Sequence, residues 1–206
     1  VIKELAMRFA HFLLAAVALS LAVMTGALPA LAHTATGVAG GFWSGISHPI
    51  SGLDHVVAMV AVGLWGAFLG APAIWLLPVV FPAVMALGGI LGILGIQVPF
   101  VEAGIALSAV VLGLCVALAL RPSLWLAAVI VGLFAVFHGH AHGTELPGSA
   151  NAYAYAIGFV VATGLLHVAG IGLGLLTRWP AGVLAVRAAG MVIAVAGAVF
   201  LSSKLA

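Results

Sequence analysis

His48-Pro49-Ile50-Ser51-Gly52-Leu53-Asp54-His55 leads without interruption into Val56-Val57-Ala58-Met59-Val60-Ala61-Val62-Gly63-Leu64-Trp65-Gly66-Ala67-Phe68-Leu69-Gly70. After His55 this stretch holds no charge, and it is long enough for most of a membrane crossing, which needs about 20 apolar residues. Such a run decides the fold class, because lipid leaves a backbone little choice but to satisfy its own hydrogen bonds as a helix. It also raises a problem. Two imidazoles and a carboxylate sit inside or at the edge of an apolar span, where an ionisable group costs about 2.5–3.5 kcal/mol on insertion scales.

The rest of the chain repeats the apolar theme. Of 206 residues, 66% are hydrophobic and only 5% are charged. Soluble domains run near a quarter charged, so a water-soluble globule is excluded. The same hydrophobicity excludes disorder. The formal charge of +2 rests on six scattered basic residues, which form no patch for nucleic acid. Cys115 is the single cysteine, so there is no disulfide framework and no thiolate cluster; mid-span, it reads as a small packing residue.

Arg8, the apolar run Phe9 to Leu28 and the ending Pro29-Ala30-Leu31-Ala32-His33 read as a secretory signal, residues 1–32, cleaved after Ala32; a retained first helix is the other reading. Six further spans are expected near 44–70, 74–96, 101–121, 123–142, 152–177 and 183–203. The expected fold is therefore all-α: a polytopic bundle of six mature spans forming one domain, residues 33–206. Short connections with Pro, Gly or charge join them, and no linker separates a second domain.

A cleaved signal puts His33 outside the cytoplasm. Six spans then place Arg121, Arg178 and Arg187 at cytoplasmic ends, as the positive-inside rule asks, and leave Lys204 outside. Trp65, Trp75, Trp125 and Trp179 at one set of ends, and Trp43, Tyr153 and Tyr155 at the other, read as aromatic belts. Gly66/Gly70 and Gly88/Gly92 read as small-residue pairs that let helices approach closely.

Eight histidines outnumber four carboxylates, and they cluster. On a continuous helix His48 and His55 share a face, Met59 lies near that stripe, and Asp54 joins them only if Ser51-Gly52 distorts the turn. Pro49 suits the first turn of a helix. The second cluster is Phe137-His138-Gly139-His140-Ala141-His142-Gly143-Thr144-Glu145. There His138 and His142 share a face, while His140 points away. Imidazoles with carboxylates suit a borderline divalent cation such as Ni, Co, Zn, Cu or Fe. Against this stand plainer readings: a buried His–Asp pair tying helices, and a titrating surface loop. Topology favours the metal, since both clusters and Glu102 fall toward the outer side. His167 lies deeper, toward the cytoplasm, either as a packing residue or as a relay. His33, at a mature N-terminus, would chelate through its amine and ring.

These two runs resemble the paired motifs of the HupE/UreJ family of membrane proteins, as do Ala58-Met59, Gly63 and the segment Val101-Glu102-Ala103-Gly104-Ile105-Ala106. The resemblance covers nearly the whole chain. It implies a bacterial cytoplasmic-membrane permease for nickel, in some members cobalt, that supplies hydrogenase or urease and so has metalloenzyme maturation proteins as partners. The first run is also similar to the His-x4-Asp-His signature of wider nickel/cobalt transporters, with one extra residue here. The metal ligands it implies are His48, Asp54, His55, His138, His142 and Glu145. His33, Met59, Glu102, His140 and His167 are secondary candidates.

The expected activity is therefore ATP-independent uptake, not enzymic catalysis; no Gly-rich phosphate loop is present. A potential of 100 mV pulls a dication inward by about 4.6 kcal/mol. Outer histidines would collect the ion, and His48, Asp54 and His55 would hold it near the midplane. Protonation competes with metal at imidazole, so uptake is expected to fall below about pH 6.5. The alternatives are a haem-binding redox subunit and a non-transporting metal sensor or assembly protein.

Overall fold

The structure is a computed structural model that describes residues 37–145 and 151–205. The signal segment and His33 lie outside the described residues.

Every described element is helical. In chain order they are α1 (Gly37–Ser51), α2 (Leu53–Leu69), α3 (Ala73–Ile93), α4 (Val101–Ala117), α5 (Leu124–Thr144), α6 (Ala152–Gly174), a 3-10 turn (Leu175–Arg178) and α7 (Pro180–Leu205). The segments Ala73–Ile93, Leu124–Thr144, Ala152–Arg178 and Pro180–Leu205 are each long and apolar enough to cross a membrane. The pair α1 and α2 makes a fifth if counted together, and Val101–Ala117 is apolar but shorter. Large apolar side chains face outward along α3 (Val79, Leu87, Ile90) and α7 (Leu184, Val195, Val199), the inverse of a water-soluble surface. The described residues are all-helical, and the protein is a multi-pass membrane protein.

The expected continuous span 44–70 is corrected. The chain bends by 82° between α1 and α2, and Gly52 at the joint is extended, at φ −89° and ψ 104°. Pro49 lies in the last turn of α1, not in a first turn. Its missing N–H withdraws a hydrogen bond from α1, and helix propagation stops two residues later. Asp54 then opens α2, where a carboxylate complements the positive end of the helix.

α2 is the axis of the bundle. It packs against α1, α3, α4, α6 and α7, and from Ala58 to Phe68 every residue but Val60 is buried. Backbone contact sets the crossings. A Cβ on Gly63 would collide with the His167 carbonyl, and one on Gly170 with the Val60 carbonyl, which locks α2 to α6. Gly139 and Gly143 meet the carbonyls of Met85 and Gly89 in the same way, joining α3 to α5. Gly88 and Gly92 pack there as their spacing suggests. Gly70 does not pack: it has φ 84° and open space around it, so it ends α2.

α3 and α4 both stop in a left-handed turn. Ile96 N–H bonds to Leu91 O and Gly95 N–H to Gly92 O, with Gly95 at φ 70°. Leu120 N–H bonds to Cys115 O and Ala119 N–H to Val116 O, with Ala119 at φ 57°. This double bond closes a helix end, and it stops α4 at Ala117, short of the expected residue 121.

The aromatic belt is also revised. Trp43, Trp75, Trp125, Tyr153 and Trp179 are exposed, but Trp65 and Tyr155 are buried. Trp65 donates its indole N–H to Leu120 O at 3.2 Å. Cys115 is buried in the apolar core.

Candidate metal site

The bend at Gly52 and the end of α5 bring the two motifs together. His48 in the last turn of α1, His55 in the first turn of α2, and His138 and His142 near the end of α5 stand in a row. Ring centroids are 4.9 Å apart for His48–His142, 4.6 Å for His142–His55 and 5.1 Å for His55–His138. Exposure is greatest at the His48 end of the row, and His142, next in line, is already buried. The His48 side chain is 33% exposed and His55 13%, and His138 is fully buried.

At the open end, donor atoms of His48, His142 and Glu145 all lie within 4.8 Å of one another. His48 Nε2 is 3.1 Å from Glu145 Oε2. The hydrogen bond from His48 holds the Glu145 carboxyl below the usual carboxylate range, so it remains an anionic oxygen donor at neutral pH. The C-terminal ends of α1 and α5 meet here, and their partial negative charge favours a cation.

Further in, two imidazoles have their tautomers set by neighbours. His55 Nδ1 is 2.8 Å from Asp54 Oδ1, and Asp54 also accepts from the His55 main-chain N–H at 2.9 Å. His138 Nδ1 is 2.9 Å from the Phe134 carbonyl oxygen. Neither oxygen can donate, so each Nδ1 carries a hydrogen, and in the neutral ring Nε2 is the nitrogen with the free lone pair. Both Nε2 atoms are buried with no hydrogen-bond partner, and so are both nitrogens of His142. A carboxylate or carbonyl behind an imidazole is the arrangement that orients metal-binding histidines. Gly52 makes room for it: a Cβ there would stand 3.0 Å from His55 Nδ1 and 3.1 Å from Asp54 Oδ1.

The secondary candidates scatter. His140 faces away from the row and bonds through Nε2 to Ile96 O at 2.8 Å, tying α5 to the turn after α3. Glu102, opening α4, pairs with Lys204 at 2.8 Å. Met59 is buried in the apolar core. His167 is buried on α6, in ring contact with Phe81 at 5.4 Å.

Aromatic residues outside the two histidine motifs wall the site. Phe159 stands 4.2 Å from the His142 ring and Tyr155 6.0 Å from the His48 ring. Phe81 stands 5.3 Å from the His138 ring. The four-residue spacing of Tyr155, Phe159, Thr163 and His167 along α6 was the available signal, since it puts them on one helix face. Phe81 carries no such signal, being one apolar residue in an apolar helix.

Comparison with known proteins agrees with these motifs. The family described as HupE / UreJ protein matches residues 19–200. Protein HupE of Rhizobium leguminosarum bv. viciae is 51% identical over 176 residues, which cover 85% of this chain and 92% of that protein. No solved structure matches the chain. A match that runs through both histidine motifs and nearly every helix places the chain in one group: it belongs to the HupE/UreJ family.

Proposed function

We propose that this protein carries a divalent transition-metal ion, nickel before cobalt, into a bacterial cell across the cytoplasmic membrane without ATP, as a supplier to hydrogenase or urease. In this reading a signal segment is cleaved after Ala32, six spans remain, and the row of histidines opens to the outside. One observation carries it: the row of His48, His142, His55 and His138, with Glu145 at its open end and unpartnered ring nitrogens inside.

The ion meets Glu145 and His48 first and exchanges water for carboxylate oxygen and imidazole nitrogen, in competition with protons. Staggered ligands suit passage, because a carrier must bind firmly enough to accept and weakly enough to release. The break at Gly52 fits the same use, since interrupted helices in membranes are found where backbone lines a cavity. Carboxylates among imidazoles suit a bare borderline ion better than a porphyrin iron.

The test is uptake of radioactive Ni2+ by intact cells expressing the chain. His142→Ala, at the middle of the row, is expected to reduce uptake to background with normal amounts of protein in the membrane. Wild-type uptake by that variant would sink the proposal. Cobalt, zinc and iron as competitors rank the substrates.

A further inference from the structure

Two buried polar side chains lie beyond the histidine row with nothing to bond to. His167 is 1% exposed and Thr163 is fully buried. Neither nitrogen of His167 nor Oγ1 of Thr163 has a hydrogen-bond partner. Each therefore bears the desolvation cost of its polar atoms uncompensated. A histidine kept only for packing is normally pinned, as His140 is pinned to Ile96 O. His167 is not.

The surroundings supply a third donor. Pro78 and Pro82 both lie inside α3. Pro82 has no N–H, so the carbonyl of Pro78, four residues earlier, loses its usual donor within the helix. That carbonyl lies near the His167 ring without reaching hydrogen-bond geometry. His167 and Thr163, four apart on α6, share one face with Phe159, which touches His142. Phe81 touches both His138, at 5.3 Å, and His167, at 5.4 Å. Among the described residues, no ring contact joins His138 to His167 directly.

We propose that His167, Thr163 and the Pro78 carbonyl form a second, inner station for the same divalent cation, partitioned from the histidine row by the Phe81 ring. This rests on the carrier reading above. One imidazole and two neutral oxygens make a weaker donor set than the outer row with its carboxylate. A weaker second station draws an ion onward without trapping it.

Equilibrium dialysis of the purified full-length protein against Ni2+ tests this, with Ni2+ uptake by cells in parallel. The wild type is expected to show two binding events, one tighter than the other. His167→Gln should keep the tighter event and lose the weaker one, and its uptake should fall about 10–100-fold, the usual effect of disturbing a metal's surroundings. His142→Ala should lose the tighter event and keep the weaker. Two unchanged events in His167→Gln, or unchanged uptake, overturn the inner station while leaving the outer row standing. A wild type that binds no Ni2+ overturns both. If His167→Gln fails to reach the membrane, the near-isosteric Thr163→Val decides: a weakened second event supports the station, and unchanged binding and uptake overturn it.

Discussion

A histidine serves a metal only through a ring nitrogen that holds no hydrogen. At His55 and His138 the choice of nitrogen is made by an oxygen behind the ring, Asp54 in one case and the Phe134 carbonyl in the other. Asp54→Asn keeps the shape and removes the charge, and its amide can also present N–H to the ring. Ni2+ affinity of the purified protein is then expected to drop about 10–100-fold, measured by equilibrium dialysis; unchanged affinity would mean that Asp54 does not prepare His55. Sequence spacing correctly separated His140 from His138 and His142, because a helix turns adjacent-but-one residues to opposite faces. It could not say what His140 faces instead, since Ile96 O comes from another helix's turn. Tyr155 was misread as a belt residue for a related reason: amphipathic aromatics look alike in sequence whether they meet lipid headgroups or a buried imidazole.

Helix identity was legible from apolar length alone, and helix breaks were not. Ser51-Gly52 was recognised as a place where the turn could distort, yet the 82° bend and the true position of Pro49 depend on what α2 packs against. Local propensity tolerates Pro in a first turn and does not reveal that neighbouring helices will hold it in a last one. The same limit applies to glycine. Gly139 and Gly172 are indistinguishable by type, but a Cβ at Gly139 would strike the Met85 carbonyl, whereas nothing lies within 4 Å of one at Gly172. Gly139→Ala is therefore expected to destabilise the purified protein by about 1–3 kcal/mol through overpacking, while Gly172→Ala leaves thermal unfolding in detergent unchanged or slightly raised. Equal midpoints for the two would contradict the close packing of α3 on α5. Gly52→Ala presses on the Asp54–His55 pair at 3.0–3.1 Å, so it should lower Ni2+ affinity without a comparable loss of stability, an outcome that dialysis and unfolding separate.

Over the whole molecule, charge divides the bundle into two ends. Arg121 lies over the Phe68 ring at 4.6 Å, Arg187 donates to Ala117 O at 2.8 Å, and Arg178 lies in the turn between α6 and α7. All three gather where α2, α4 and α6 finish. Glu102 and Lys204 pair at the opposite end, where α4 starts and α7 finishes, and Glu145 follows the end of α5 there. The positive-inside rule then predicts the sense of insertion. In a Cys115→Ala background, Ser202→Cys should react with a membrane-impermeant maleimide in intact cells, and Trp179→Cys only after permeabilisation. The reverse pattern would turn the carrier around and make the histidine row an exit.

Composition and apolar run length by themselves determined that this chain is a helical membrane protein, because lipid admits few other backbone solutions. Motif chemistry likewise singled out the histidines, because ionisable groups are too costly in a span to be incidental. Which histidines meet was decided only in three dimensions. His48 was expected to work with Asp54 and His55, its neighbours in sequence; it stands instead beside His142 and Glu145. That pairing follows from a bent backbone at Gly52 and from glycine faces that let helices touch, and both are properties of packing between segments that no local pattern contains.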